Sequence, residues 1–191
     1  MGSHQSARAK TTTWLTPPEI IKSLGKFDLD PCAAENQPWK TAEKQYTIAD
    51  NGLEKPWEGR VWLNPPYGLE AGRWLEKLSR HNDGIALIFA RTETKRFFDW
   101  VWNKAQALLF IEGRLHFHRI DGTRAKANAG APSVLVAYGN RNEAWLEDVW
   151  FDNSINGAYI KNRRMGHHGL HPHWRKGSDM SRHSTIDEGA L

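Results

Sequence analysis

Residues 61–77 read VWLNPPYGLEAGRWLEK, in which two prolines separate two segments with regular apolar patterns. The apolar run VWL predicts a short strand, and apolar residues at helical spacing further on predict a helix. Two consecutive prolines lack the N–H groups that a sheet needs, so the strand must end at Leu63 or Asn64. We therefore expect a stiff turn that presents Asn64 at the carboxyl end of a strand, where open α/β sheets bind ligands.

The rest of the chain repeats this alternation of strand and helix. Further strands are predicted at FDLD (27–30), IALIFA (85–90), ALLFIE (107–112) and PSVLVAYG (132–139), and helices at 68–81 and 92–105. This order predicts an α/β fold with a mixed, mainly parallel sheet that is flanked by helices and ends in a C-terminal antiparallel hairpin.

Composition predicts one domain with two tails. The chain has 191 residues, of which 39% are hydrophobic, enough for one core. We expect a flexible segment at 1–12, a domain at 13–151, and a mobile or loosely docked basic tail rich in His and Gly at 152–191. Four histidines of that tail (His167, His168, His171 and His173) have loosely metal-like spacing, but no acidic or cysteine partner accompanies them, so no metal site is predicted.

Cysteine usage and hydropathy predict a cytoplasmic protein with no membrane partner. The single cysteine, Cys32, excludes an internal disulfide, and we interpret it as a small, partly buried thiol. The longest apolar stretches fall far short of the roughly 18 residues that a membrane-spanning helix needs.

Two groups of basic residues predict where a nucleic acid would lie. Lys and Arg number 26 against 22 Asp and Glu, so the location of the charge matters more than its sum. One group opens the helix after IALIFA, where it opposes the helix dipole, although a solvated face is an alternative there. The other lies on a Gly-rich loop at 113–132, a length typical of functional or disordered loops. The candidate phosphate contacts are Arg91, Lys95, Arg96, Arg114, Arg119, Arg124 and Lys126.

The tetrapeptide Asn64-Pro65-Pro66-Tyr67 suits chemistry on an amino group of a nucleobase. Such an amine is a poor nucleophile, because its lone pair is delocalised into the ring. If the Asn64 side-chain oxygen and the Pro65 carbonyl each accept one N–H bond, the lone pair is localised on the nitrogen, provided that both acceptors are rigid. The prolines supply rigidity, and Tyr67 offers a ring on which an unpaired base can stack. The alternative is a rigid turn with Tyr67 packed on the core.

These four residues resemble the [DN]-P-P-[YF] motif of amino-group methyltransferases. With TWLTPPEIIKSLGKFDLDPCAAEN, QYTIADNGLEKPWEGRVWLNPPYG, IALIFARTETKRFF, LLFIEGRLHF and APSVLVAYG, in that order, the chain resembles the phage-type DNA N6-adenine methyltransferase (Dam) family over roughly residues 13–140. The resemblance implies a Rossmann-like fold, S-adenosylmethionine as methyl donor, DNA as partner, and a phage or prophage gene expressed in a bacterial cytoplasm.

The resemblance also implies roles for single residues. Asn64, Pro65, Pro66 and Tyr67 match the catalytic motif, and the positions that match cofactor-binding motifs are Thr16, Pro17, Asp30, Pro31, Glu35, Asn36 and Asp50. Two of these carboxylates have simpler readings, because Asp30 can serve as a strand-end turn residue and Asp50, followed by Asn51-Gly52, can bond its own backbone in a turn. The chain also departs from many methyltransferases of this fold, since DPCAA stands where they carry a Gly-x-Gly turn.

The sequence therefore predicts an adenine-specific DNA methyltransferase and keeps two alternatives open. The same site could act on another amine, such as cytosine N4, an RNA base or a protein glutamine. A non-catalytic DNA-binding protein on a decayed methyltransferase core is the second alternative, supported by the missing Gly-x-Gly turn. The sequence defines neither a recognised DNA site nor an oligomeric state.

Overall fold

The computed structural model describes residues 13–68 and 70–162. Its helices are α1 (Pro18–Ser23), α2 (Ala71–His81), α3 (Lys95–Phe97), which continues into a π-helical turn (Phe98–Trp102), and α4 (Asn140–Phe151), with a 3₁₀ turn at Ile48–Asp50. Its strands are β1 (Leu29–Asp30), β2 (Lys44–Gln45), β3 (Val61–Leu63), β4 (Gly84–Phe89), β5 (Ala107–Ile111), β6 (Ser133–Tyr138) and β7 (Gly157–Lys161).

These strands form one mixed sheet in the order β2-β1-β3-β4-β6-β5-β7, which confirms the predicted α/β class and the antiparallel pairing of β5 with β6. The expectation of a mainly parallel sheet holds for strand direction, since β1 to β5 run the same way and β6 and β7 run the other way, but not for the number of pairings. Among the described strands, three pairings are parallel and three are antiparallel. The reason is that β6 lies between β4 and β5 and runs against both.

The predicted boundary between domain and tail at 151/152 is also wrong. Residues 157–161 form β7, which pairs antiparallel with β5 from Ala107↔Lys161 to Ile111↔Gly157. Most of its side chains are exposed at the edge of the sheet, so its sequence lacks the apolar pattern that marks the inner strands. The rest of that tail, with its four histidines, and the segment 1–12 lie outside the described residues.

The sheet separates two apolar cores. On one face α1 and α4 pack over a cluster that includes Leu24, Trp62 and Leu146. On the other face α2 and α3 pack over a cluster that includes Leu63 and Phe97. Because successive strand residues point to opposite faces, the residue after Leu63 belongs to the α1/α4 face.

The long loop between β5 and β6 is an ordered hairpin. Backbone hydrogen bonds join Ala129 N–H to the Leu115 carbonyl (2.7 Å) and Ala125 N–H to the Phe117 carbonyl (2.8 Å). At the tip, the Asp121 carboxylate accepts a hydrogen bond from Thr123 N–H at 2.9 Å. We call residues 115–129 the β5–β6 hairpin; of the two outcomes expected for a loop of this length, these hydrogen bonds favour a functional loop.

Gly52 lets two loops meet at the carboxyl edge of the sheet. A Cβ built on Gly52 would lie 1.9 Å from the Pro31 carbonyl oxygen, so only glycine permits this approach. The Gly52 carbonyl in turn accepts a hydrogen bond from Trp57 Nε1 at 2.8 Å, which holds the loop in place. The segment after β1 is therefore packed directly against the turn that follows residue 50.

Gly52→Ala should destabilise the protein, because the added methyl forces these loops apart. We expect the free energy of unfolding, measured by urea denaturation, to fall by about 1–3 kcal/mol. Gly130→Ala is the matched control, since a Cβ there meets no atom within 4 Å. Equal stability of the Gly52→Ala variant and the wild type would contradict the packing described here.

Candidate active site at the carboxyl ends of β1 and β3

The predicted motifs at Asp30-Pro31 and Asn64-Pro65 meet at the point where the strand order changes direction. From β1 the chain moves to β2 on one side and then returns to β3 on the other, so the loops after β1 and β3 leave from adjacent carboxyl ends. Such a switch point is where open α/β sheets bind ligands. The Cys32 thiol donates a hydrogen bond to the Asn64 backbone carbonyl at 3.3 Å and joins the two loops. Asp30-Pro31 and Asn64-Pro65 thus lie side by side.

The orientation of the Asn64 amide is fixed by a backbone carbonyl. Its Nδ2 donates a hydrogen bond to the Trp14 carbonyl at 3.2 Å. Since a carbonyl oxygen only accepts hydrogen bonds, the amide must turn its NH₂ group toward Trp14 and its oxygen away. The resulting Asn64 Oδ1 is buried and has no hydrogen-bond partner among the residues that the structure describes. A buried acceptor without a partner costs about 1–3 kcal/mol, which a donor on a ligand would recover.

The chain before α1 forms a strap beside Asn64. Leu15 exchanges two backbone hydrogen bonds with His118 of the β5–β6 hairpin, both 2.9 Å long. Thr16 is buried and its Oγ1 has no partner, and Pro17 is the N-cap residue of α1. The strap, residues 14–16, therefore connects the hairpin to the turn at Asn64 and brings Thr16 to the same edge of the sheet.

Buried polar atoms without partners concentrate at this edge. Within residues 13–68 and 70–162 there are six such side-chain atoms, and four belong to Thr16, Asn64, His118 and Ser133. His118 is bridged to the strap, and Ser133 pairs with Phe89 at the carboxyl end of β4. Because proteins satisfy nearly all buried polar groups, this concentration indicates a surface built for a polar ligand.

Tyr67 presents an aromatic ring next to this surface. The ring stacks on Phe89, with centroids 4.3 Å apart and planes at 11°, and it meets the edge of Phe117 at 6.3 Å. The residue is 37% exposed. Desolvation raises the pKa of its phenol above the usual range, so the ring is neutral at physiological pH. A neutral ring with this geometry is suited to stacking.

Sequence reasoning missed Phe89 and Phe117 as parts of the site. Phe89 ends a continuously apolar strand, a pattern that predicts burial, whereas Phe117 lies in a loop whose basic residues dominate the sequence pattern. The position of Phe89 could have indicated its place in the site, because it is the last residue of the strand that neighbours β3.

A pocket of about 220 Å³ adjoins the turn on the α2/α3 side. Its lining residues are Pro65, Tyr67, Gly68, Ala71, Leu75, Ile88, Phe89, Arg91, Thr94, Arg96 and Phe97. This volume lies below the about 300–1,000 Å³ of pockets for drug-sized ligands, so it suits a fragment no larger than a base. Asn64 does not line the pocket, because its side chain points to the other face of the sheet.

Asp30 has the hydrogen bonds of a strand-end turn residue. Its Oδ1 accepts a hydrogen bond from Cys32 N–H at 3.0 Å, and its Oδ2 accepts one from the Thr41 hydroxyl. Burial raises the pKa of this carboxyl to about 6. Asp30 therefore fixes the backbone of the turn that follows β1.

The other predicted cofactor-binding residues lie on loops around this turn. Glu35 and Asn36 are exposed, and Asn36 has a φ of 56°. The Asp50 carboxylate accepts hydrogen bonds from the Thr47 N–H (2.8 Å) and hydroxyl (3.2 Å), which lower its pKa. Its turn packs against Pro31 through Gly52. The contacts of Asp50 are thus those of the simpler turn reading.

The predicted phosphate contacts fall into two structural groups. Near the pocket, Arg96 donates a hydrogen bond to the Gly68 carbonyl, and Lys95 forms an ion pair with Asp99 at 2.6 Å on the surface. On the segment between β5 and β6, the predicted basic residues are all exposed; they are Arg114, Arg119, Arg124 and Lys126.

Neither a metal cluster nor a membrane-spanning helix occurs in the described part of the chain. It contains no group of three or more His, Cys, Asp or Glu side chains that could hold a metal ion. Likewise, none of its helices is both long and apolar enough to cross a bilayer.

A known protein family matches the chain over most of its length. The family model described as DNA N-6-adenine-methyltransferase (Dam) matches residues 3–163, which include every strand and helix given above. No curated protein and no solved structure gives a significant match to the chain. The family match agrees with the resemblance inferred from the spaced motifs.

Asp30→Asn should change how stability depends on pH. Because the carboxyl pKa is raised from 3.8 to about 6, the folded protein binds this proton more tightly than the unfolded chain. The stability of the wild type relative to the variant should therefore fall as pH rises through that window, by about 1–3 kcal/mol. Urea unfolding at several pH values measures this difference.

Asp121→Asn is the control for that experiment. Hydrogen bonds from Thr123 lower the pKa of the exposed Asp121 carboxyl, so the relative stability of the wild type should there fall as pH decreases. If the stability of the wild type relative to Asp30→Asn instead rose with pH, the fold would be stabilising the Asp30 carboxylate.

Proposed function

The chain belongs to the DNA N-6-adenine-methyltransferase (Dam) family, and we propose that it methylates the N6 amine of adenine in DNA by direct transfer from S-adenosylmethionine. The observation that carries this proposal is the Asn64 Oδ1, a buried acceptor without a partner at the carboxyl end of β3. An exocyclic NH₂ group supplies the donor that this oxygen lacks.

Asn64 and Pro65 orient the amine in this proposal. The Trp14 carbonyl holds the Asn64 amide so that its oxygen faces the substrate. The prolines fix φ at 65 and 66 and keep residue 64 out of the helical region, so the Pro65 carbonyl is rigid as well. Two fixed acceptors draw both amine hydrogens to one side and leave the lone pair on the other. Because Asn64 Oδ1 is buried, the arriving base must displace the groups that cover it.

Tyr67 holds the base in this proposal. A base inside a duplex cannot reach the turn, so the adenine must be flipped out or arrive single-stranded. Stacking on an aromatic ring contributes about 1–3 kcal/mol per base and needs no sequence readout.

The residues at the switch point fit the methyl donor. Thr16 places an unpartnered hydroxyl there, and the main chain at Asp30-Pro31 is held by hydrogen bonds and by Gly52. The residues that would bind S-adenosylmethionine are Thr16, Pro17, Asp30, Pro31, Glu35, Asn36 and Asp50. When bound, it supplies a methyl group that its sulfonium has already activated.

DNA would lie against the exposed basic side chains of the β5–β6 hairpin. The hairpin contacts the site directly, because Phe117 touches the Tyr67 ring and His118 is bridged to the strap. Phosphate contacts from Arg119, Arg124 and Lys126 would give affinity and salt dependence rather than sequence preference. A phage or prophage origin stays a prediction.

Asn64→Ala should abolish methylation and spare DNA binding. Loss of one positioned hydrogen-bonding group in a catalytic site costs about 100- to 1,000-fold in rate. The measurement is incubation of DNA with labelled S-adenosylmethionine, digestion to nucleosides, and quantification of N6-methyldeoxyadenosine. Asn103→Ala, at an exposed asparagine on the C-terminal side of the π-helical turn, is the matched control.

The same labelled cofactor, incubated with DNA, RNA or protein, and a binding measurement separate the alternative substrates and the non-catalytic alternative. Label in N4-methyldeoxycytidine, or only in RNA or protein, would assign the site to a different amine. Salt-sensitive DNA binding with no calorimetric signal for S-adenosylmethionine would instead favour a non-catalytic DNA-binding protein. Either result would contradict the proposed function.

Removing the hairpin charges should weaken DNA binding at low salt. We expect the triple variant Arg119→Gln, Arg124→Gln, Lys126→Gln to reduce the slope of log K against log salt by about 0.9 for each phosphate that is no longer neutralised. Fluorescence anisotropy over a salt series measures the slope. A triple variant with the same net charge, Lys22→Gln, Lys26→Gln, Lys55→Gln, should keep more of it, and equal slopes for the two would rule out the hairpin as the main DNA-binding surface.

A further inference from the structure

The Tyr67 ring needs support that its own loop does not provide. Tyr67 follows the diproline, but the next residue, Gly68, has a φ of 125° and no atom within 4 Å of a built Cβ. The Tyr67 residue is more than one-third exposed. The backbone after Pro66 is held by the hydrogen bond from Arg96 to the Gly68 carbonyl, but that bond does not contact the ring, so the plane of the ring depends on side chains from elsewhere.

Phe89 supplies a flat, anchored surface for that ring. It is the last residue of β4 and pairs with Ser133 of β6. The next residue, Ala90, continues the pairing through a 2.9 Å hydrogen bond from its N–H to the Pro132 carbonyl. The Phe89 side chain packs against the α1/α4 core cluster. It therefore belongs to the rigid sheet, whereas Tyr67 belongs to the turn.

Among the described residues, Phe89 is the one ring stacked on Tyr67, so no second ring is stacked on its other face. With centroids 4.3 Å apart and planes only 11° from parallel, Phe89 covers one face of the ring. Phe117 meets Tyr67 nearly perpendicularly, at 80°, and limits rotation of the ring without stacking on it. Aromatic pairs at these separations attract each other beyond simple burial.

We propose that Phe89 is a positioning residue, which fixes the plane of Tyr67 so that its uncovered face receives the unpaired adenine. This inference rests on the proposed function, since it assigns the stacked ligand as a base. A base on that face would complete a three-ring stack whose lowest ring is part of the sheet. Phe89 touches no reacting atom and acts only through Tyr67.

The first experiment observes the stack directly. The chain has four tyrosines, so selective ¹³C labelling of tyrosine rings gives few NMR signals, and Tyr67→Phe identifies the signal of Tyr67. In Phe89→Leu the Tyr67 signal should lose the ring-current shift that a stacked ring produces, and in Phe89→Trp it should keep an upfield shift. Phe110→Leu is the matched control, because Phe110 is also a half-buried strand aromatic but contacts Trp102 instead.

The second experiment measures the effect on catalysis. Phe89→Leu should lower kcat by about two- to tenfold, the range that corresponds to the loss of one aromatic pair. Affinity for DNA in anisotropy should be unchanged, because phosphate contacts dominate it. Phe89→Trp should restore most of kcat, and Phe110→Leu should match the wild type. Cooperative unfolding is checked first, and Phe89→Met takes the place of a leucine variant that does not fold.

Two results would overturn the inference. An unchanged Tyr67 signal in Phe89→Leu would show that the rings do not stack. A lost shift with wild-type kcat would show that the stack does not serve catalysis. A wild-type protein without methylation activity would instead overturn the proposed function, and the NMR comparison separates that case from a failure of the stack itself.

Discussion

The hydrogen bond from Asn64 Nδ2 to the Trp14 carbonyl is the constraint on which the site depends. It determines which end of the amide faces the ligand, and it ties the strap before α1 to the turn after β3. The diproline alone would make the turn stiff, but it would not select an oxygen over an NH₂ group. Because the strap is also bridged to the β5–β6 hairpin through Leu15 and His118, one short segment connects three parts of the site.

The chemistry that the site can perform follows from what its buried groups lack. Four residues, Asn64, Thr16, His118 and Ser133, each bring to the carboxyl edge of the sheet a buried polar atom that has no partner in the described part of the chain. By contrast, the oxygens of Asp30 are engaged by Cys32 and Thr41. At this edge, the carboxylate at the end of β1 has its hydrogen bonds made, whereas the four neighbouring polar atoms do not. This is the pattern expected where a ligand supplies the missing hydrogen bonds.

The sequence predicted those parts of the fold that depend on local patterns. The inner strands β3, β4, β5 and β6 have apolar runs, and the diproline could only be a turn. Strands β2 and β7 were not predicted, because β2 is short and polar and β7 is mostly exposed, and only their neighbours make them strands. The order of the strands and the Tyr67–Phe89 stack depend on contacts between distant segments, which periodicity does not report. For the same reason the sequence named the motif residues but could not tell that the strap orients Asn64.

The position of β6 also constrains how the chain can assemble. This strand pairs with β4 through six residues, from Gly84↔Tyr138 to Phe89↔Ser133, and with β5 on its other side. In a ribosome-bound chain that ends before residue 133, the edge of the apolar strand β4 that pairs with β6 therefore has no partner strand. Contacts between such distant segments slow folding and expose nascent chains to aggregation. The four strands β2-β1-β3-β4, which carry Asp30-Pro31 and Asn64-Pro65, are thus prone to aggregation during synthesis until β6 has been made and pairs with β4.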